Sequence, residues 1–169
     1  MTLKHRREIA RGLVLMAALL AGKAAADERI SAAIADFDNH DTSGEVAERE
    51  AEHAARVRAF AGLLRATLAR AGKVEALALE CAAAPCSAGS TDSDVLLQAA
   101  RDTGAELLVY GGIHKVSTLI QWGQVQVVDL DENRLLLDRS FSFRGDTEEA
   151  FRRAAGFVAG YLEDVVPGS

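Results

Sequence analysis

The sequence predicts an α/β fold with an α+β tendency, its elements following the order β-α-β-α-β-β-β-α. Three observations carry that expectation. Leu107 to Tyr110 is a short apolar run between Gly104 and Gly111-Gly112, too short for a helix and apolar enough for a strand buried on both faces. The stretches before it couple short apolar runs to helical periodicity, which gives parallel strands joined by right-handed crossovers. The stretches after it alternate apolar and polar residues between turns, which gives antiparallel strands.

Residues 1–26 read as a cleaved export signal. Lys4, Arg6, Arg7 and Arg11 form a basic start, Leu13 to Leu20 is apolar, and Ala24-Ala25-Ala26 offers the small residues of a cleavage site. The run is too short for a permanent membrane span. Lys23 stands where a lipidated cysteine would have to be, so no stable membrane anchor is expected, and general secretion fits the leader better than twin-arginine export. Removing the leader's five basic residues and one acidic residue from totals of 19 and 25 leaves 14 and 24, a net charge of −10. Such a domain repels phosphate backbones, which argues against nucleic acid as a partner.

The mature chain, 27–169, reads as a single domain. Ile30 to Phe37 is apolar on both faces until Asp36, as in a central strand covered on both sides. A polar loop, 36–45, follows, and Thr42 with Glu45 makes a capping-box pattern for the next helix. That helix is predicted over 45–71, with Val57, Phe60, Leu64 and Leu68 on one stripe and Gly72 as its stop. Its alanine- and charge-rich start, 48–55, carries little apolar stripe. Val74 to Leu79 is a second strand, and Thr91 with Asp94 opens a helix ending at Gly104. After the central strand, Thr118 to Leu130 continues the sheet. The last strand directs Leu135, Leu137, Phe141 and Phe143 one way and Asp138, Ser140, Ser142 and Arg144 the other. Asp146 or Thr147 caps a final helix that turns Phe151, Ala154, Val158, Leu162 and Val165 toward the sheet.

Three phrases carry a resemblance across most of the mature chain: Phe37-Asp38 with Asp41-Thr42-Ser43-Gly44-Glu45, Gly104-Ala105 leading to Gly112 through Ile120, and Arg144-Gly145-Asp146-Thr147-Glu148. Together they resemble a family of small exported proteins of unknown function from alphaproteobacteria and related bacteria. More distantly, the order of elements is similar to the amino-terminal domain of the Tol-Pal protein TolB and the periplasmic domain of the curli secretion protein CsgG. That resemblance implies a binding or assembly module.

Among chemistry-bearing residues, Asp36, Asp38, His40, Asp41 and Glu45 lie where open α/β sheets place ligands, at the carboxyl end of the first strand. Asp36, Asp38 and His40 are weak candidates for a cation. The spacing fails the calcium-loop template, because His40 and Asp41 occupy positions of a ligand and the turn glycine. The competing reading is a solvated loop whose side chains cap turns. Ser43 lacks the flanking glycines of a nucleophile elbow, and no catalytic residue is assigned. His114 and Lys115 are neighbours on a strand and must face opposite ways. Cys81 and Cys86 have the wrong spacing for redox or zinc motifs and favour a structural disulfide. Trp122, the only tryptophan, is either a partner-contact anchor or packing at a sheet edge.

The functional expectation is a non-catalytic periplasmic module that contacts another cell-envelope component, protein or small molecule, without a cofactor. Its candidate contact residues are Asp36, Asp38, Asp41, Thr42, Ser43, Lys115, Ser117, Trp122 and Arg144, gathered at one end of the sheet. The alternative is a periplasmic metal-dependent hydrolase, or a metal or cofactor carrier, built on loop 36–45.

Overall fold

A computed structural model of the chain describes residues 29–82 and 84–165. The predicted export signal lies outside the described residues. Six strands and three helices follow the order β1 (Ile30–Ile34), β2 (Asp38–Asp41), α1 (Ala47–Ala71), β3 (Val74–Ala78), α2 (Ser93–Asp102), β4 (Leu107–Lys115), β5 (Ile120–Asp129), β6 (Arg134–Arg144) and α3 (Glu148–Val165). They build one mixed sheet in the order β3-β1-β4-β5-β6. The β3, β1 and β4 strands are parallel, and β4, β5 and β6 are antiparallel, as predicted.

The first predicted strand is interrupted. β1 pairs with Leu107 to Val109 of β4, and β2 resumes alongside the same strand, with Asp38 opposite Gly112 and His40 opposite His114. The segment expected as a loop therefore contains a strand. Its polarity hid it, because both faces of Asp-Asn-His-Asp meet solvent or other polar groups rather than the core.

Helices α1 and α3 cover one face of the sheet over a core centred on Phe60, which meets Phe37, Phe141 and Phe151. The stripe on α1 begins at His53, which is fully buried, and the turns before it are exposed. Gly72 ends the helix at φ 77° as predicted. The capping box does not form: Val46 is the N-cap and has no side-chain bond. Helix α2, capped by the Asp92 side chain, covers the other face only near β1, β3 and the start of β4. Beyond it that face is open, because β5 and β6 have no helix above them there.

A bulge opposite Val127 and Val128 shifts the register of β6. Leu136 and Leu137 then pack against the core while Leu135 is turned out to solvent, against the strict alternation expected of Leu135. A disulfide joins Cys81 and Cys86, whose Cα atoms lie 5.3 Å apart.

Candidate functional site

Strand parity divides the candidate residues between the two faces. On the open face lie Asp38 and His40 of β2, Tyr110 and His114 of β4, Trp122, Gln124 and Gln126 of β5, and Ser140 of β6. Together with Gly111 to Ile113, Gly123 and Ala88 they line a concave site of about 430 Å³. Gly112 forms its floor, where an added Cβ would stand 3.4 Å from the Asp38 side chain. His40, His114 and Trp122 form a row across three strands, since His114 is the register partner of both others. The two imidazole rings meet edge to face at 4.6 Å. Thr42 Oγ1 lies 2.7 Å from His114 Nε2.

At the end of this site the β4–β5 connection carries exposed apolar side chains. Val116 is 45% exposed, Leu119 69%, Ile120 40% and Trp122 52%. Ile120 is the register partner of Arg144, which is exposed at the end of β6. The Ser117 hydroxyl accepts from the Leu119 and Ile120 amides and shapes the turn rather than projecting from it.

Asp36 and Asp38 are engaged locally. Asp36 accepts the Cys86 amide at 2.9 Å, and Asp38 accepts the Ser87 hydroxyl at 2.6 Å and the Gly89 amide at 2.9 Å. These carboxylates clamp the disulfide loop onto the break between β1 and β2. Among the described residues no three His, Cys, Asp or Glu side chains converge as a metal site.

Lys115 corrects its expected place on the contact surface. It shares the parity of Leu107, Val109 and Ile113, points under α1 and α3, and is fully buried. Its ammonium lies 2.5 Å from Glu45 Oε2, 2.9 Å from Asp146 Oδ2 and 3.9 Å from Asp41 Oδ2. The other oxygen of Asp146 meets His53 Nδ1 and accepts from Arg56 Nε, each at 2.9 Å. Burial would lower the Lys115 ammonium, but its bonds to Glu45 and Asp146 outweigh that and raise it. Burial would raise Asp146, but donors from Arg56, His53 and Lys115 hold it far below its ordinary 3.8. Burial likewise opposes ionisation of Asp41, and the Ser43 hydroxyl and amide with the Lys115 charge bring it below 3.8.

Sequence reasoning missed this cluster. Thr147 takes the cap of α3, its hydroxyl accepting the Ala150 amide at 3.2 Å, which frees Asp146 for Lys115. The available signals were parity, which puts Lys115 on the core side of an apolar strand, and spacing, which puts His53 on the stripe of Val57 and Phe60.

The chain matches, over residues 30–160, the family model described as "Protein of unknown function (DUF2380)". It belongs to that family, DUF3280. No curated protein matches the sequence. Among solved structures, hypothetical protein CT253 of Chlamydia trachomatis is similar at 13% identity and TM-score 0.56, covering 83% of this chain and 99% of that one. TolB of Acinetobacter baumannii is similar at 15% identity and TM-score 0.54, covering 83% of this chain. The DUF3280 chain spans only 29% of TolB. The PelC dodecamer of Paraburkholderia phytofirmans follows at 13% identity and TM-score 0.50, covering 81% of this chain and 87% of that one. At these identities the likeness establishes a shared fold, and so bears out the distant fold-level resemblance to TolB. No helix of the described residues is long and apolar enough to cross a membrane.

Proposed function

We propose that this DUF3280 protein is a non-catalytic periplasmic module that binds another cell-envelope component through the open end of its sheet. The observation that supports this reading most is the group of exposed apolar side chains at the β4–β5 connection, Val116, Leu119, Ile120 and Trp122, beside the concave site on the open face. Large apolar side chains gathered on one exposed edge mark contact surfaces, and a half-exposed tryptophan is a common anchor in them. His40, Thr42 and Arg144 rim the same end and would supply polar specificity, whereas Lys115 would act indirectly, by holding β2 and the start of α1 in place. The basic and apolar leader and the disulfide support the periplasmic assignment. The chain's likeness to part of TolB is compatible with an envelope partner.

Affinity capture from the organism's own envelope fraction tests the proposal, with the wild-type chain compared against Trp122→Ala and Leu119→Asp. The expected result is a discrete component retained by the wild type and lost from both variants, with circular dichroism and the urea midpoint unchanged. Equal capture by all three proteins would refute the proposed surface, and recovery of no component would refute the binding role.

A further inference from the structure

We propose that His40 and His114 form a two-imidazole site for a divalent transition-metal ion of the nickel, copper and zinc group. Such ions bind imidazole nitrogen at about 2.1 Å, which puts each ring centroid roughly 3.2 Å from the ion. Two rings bound side by side, at an angle of about 90° to 109°, then have centroids roughly 4.5 to 5.2 Å apart. The observed separation is 4.6 Å. Parallel pairing of β2 with β4 sets this spacing by making the two histidines register partners on one face. The His40 ring can turn about its soft terminal torsion toward the ion while His114 keeps its contact with Thr42.

The hydrogen-bond network also prepares one ligand. The Thr42 hydroxyl has a single proton and lies within donating distance of the Lys115 carbonyl, at 3.4 Å. In the tautomer whose Nε2–H donates to Thr42 Oγ1, 2.7 Å away, the His114 lone pair is on Nδ1 and free for an ion. A partner that fixes the tautomer and ring orientation is the usual second support of a metal-bound histidine. His40 is exposed and His114 half-buried, so an ion has access. With two protein ligands, the remaining positions are open to water or to a donor from a bound partner. Copper(II) should bind most tightly of the group.

Trp122 gives a direct readout, because it is the only tryptophan and the register partner of His114. The untagged full chain is titrated with copper(II) chloride at pH 7.5 while tryptophan fluorescence is followed, and the saturated complex is examined by electron paramagnetic resonance. Expected are saturable one-to-one quenching, reversal by excess EDTA, and hyperfine structure from two nitrogens. His40→Ala and His114→Ala should each weaken binding at least tenfold, and Thr42→Val about tenfold. Quenching that rises without saturation, an unaltered midpoint in either histidine variant, or a wild-type spectrum without two nitrogen ligands would overturn the proposal. The spectrum is read on the wild type, so it stands even where a variant fails to fold.

Discussion

Replacing Lys115 with methionine should destabilise the domain severely, although the change puts an apolar side chain into a buried position. The ammonium has no solvent exposure and contacts Glu45 at 2.5 Å and Asp146 at 2.9 Å, with Asp41 at 3.9 Å. At an effective dielectric constant of about 20, each contact corresponds to roughly 4 to 7 kcal/mol of gross Coulomb attraction. Most of that is offset by desolvation of the ions, so the sum is not a stability. The loss on removing one partner is set instead by what remains: three carboxylates facing Arg56 as the only permanent cation. Breaking a buried ion pair in this way costs about 3 to 5 kcal/mol, a large share of the roughly 5 to 15 kcal/mol that stabilises a domain. In a domain of this size such a loss lowers the melting temperature by about 10 to 15 °C. Urea unfolding followed by far-ultraviolet circular dichroism at pH 7 measures it. Because Lys115 and Asp146 act in one network, the double variant Lys115→Met/Asp146→Asn should fall short of the sum of the single losses by about 1 to 3 kcal/mol. A Lys115→Met protein within about 1 kcal/mol of wild type, or strictly additive losses, would refute the view that this cluster pins β2, the start of α1 and the start of α3 together.

Asp41 and Asp146 both titrate below their ordinary 3.8 in the folded chain. Their stabilisation is therefore complete above the unfolded value and disappears as pH falls through the folded values. Wild-type stability should drop below about pH 4, and Asp146→Asn, less stable at neutral pH, should show a flatter acid limb in urea titrations. Lys115 is raised above 10.5, so its contribution is fully present below that pH and fades only as pH rises through the higher folded value. Gly111→Ala should cost about 3 kcal/mol: its Cβ would stand 2.1 Å from the Gln124 carbonyl oxygen and 2.9 Å from the Phe37 ring. An unchanged urea midpoint would show that β4 and β5 can separate there freely. Replacing Cys81 and Cys86 with serine should cost about 2 kcal/mol, the chain-entropy value for so short a loop. A wild-type midpoint that does not move under reducing conditions would contradict that figure.

Elements with a strong periodic pattern were legible in the sequence. The stripe of Val57, Phe60, Leu64 and Leu68 gave α1, the apolar run at Leu107 gave β4, and the alternation around Val125 and Val127 gave β5. Weak local patterns failed for specific reasons. β2 carries no apolar residue, so no period marks it, and its strand form comes from hydrogen bonding to β4. Glu45 looked like half of a capping box because it lies three residues after Thr42, yet Lys115 takes Glu45 and His114 takes Thr42, from positions about 70 residues away. Asp36 and Asp38, weak cation candidates in the sequence, instead accept the amides of the disulfide loop.

By itself, then, the sequence determined the α/β class, the order of its main elements and the side of the sheet most apolar residues take, because burial follows periods of 3.6 and 2 that are written locally. Only the tertiary structure decided which polar residues meet. A lysine on the core side of β4 finds its carboxylates before α1 and before α3, and two histidines become neighbours because β2 lies parallel to β4. Such encounters depend on pairings between distant segments, and charge and hydrogen-bonding partners leave no period in the chain to announce them.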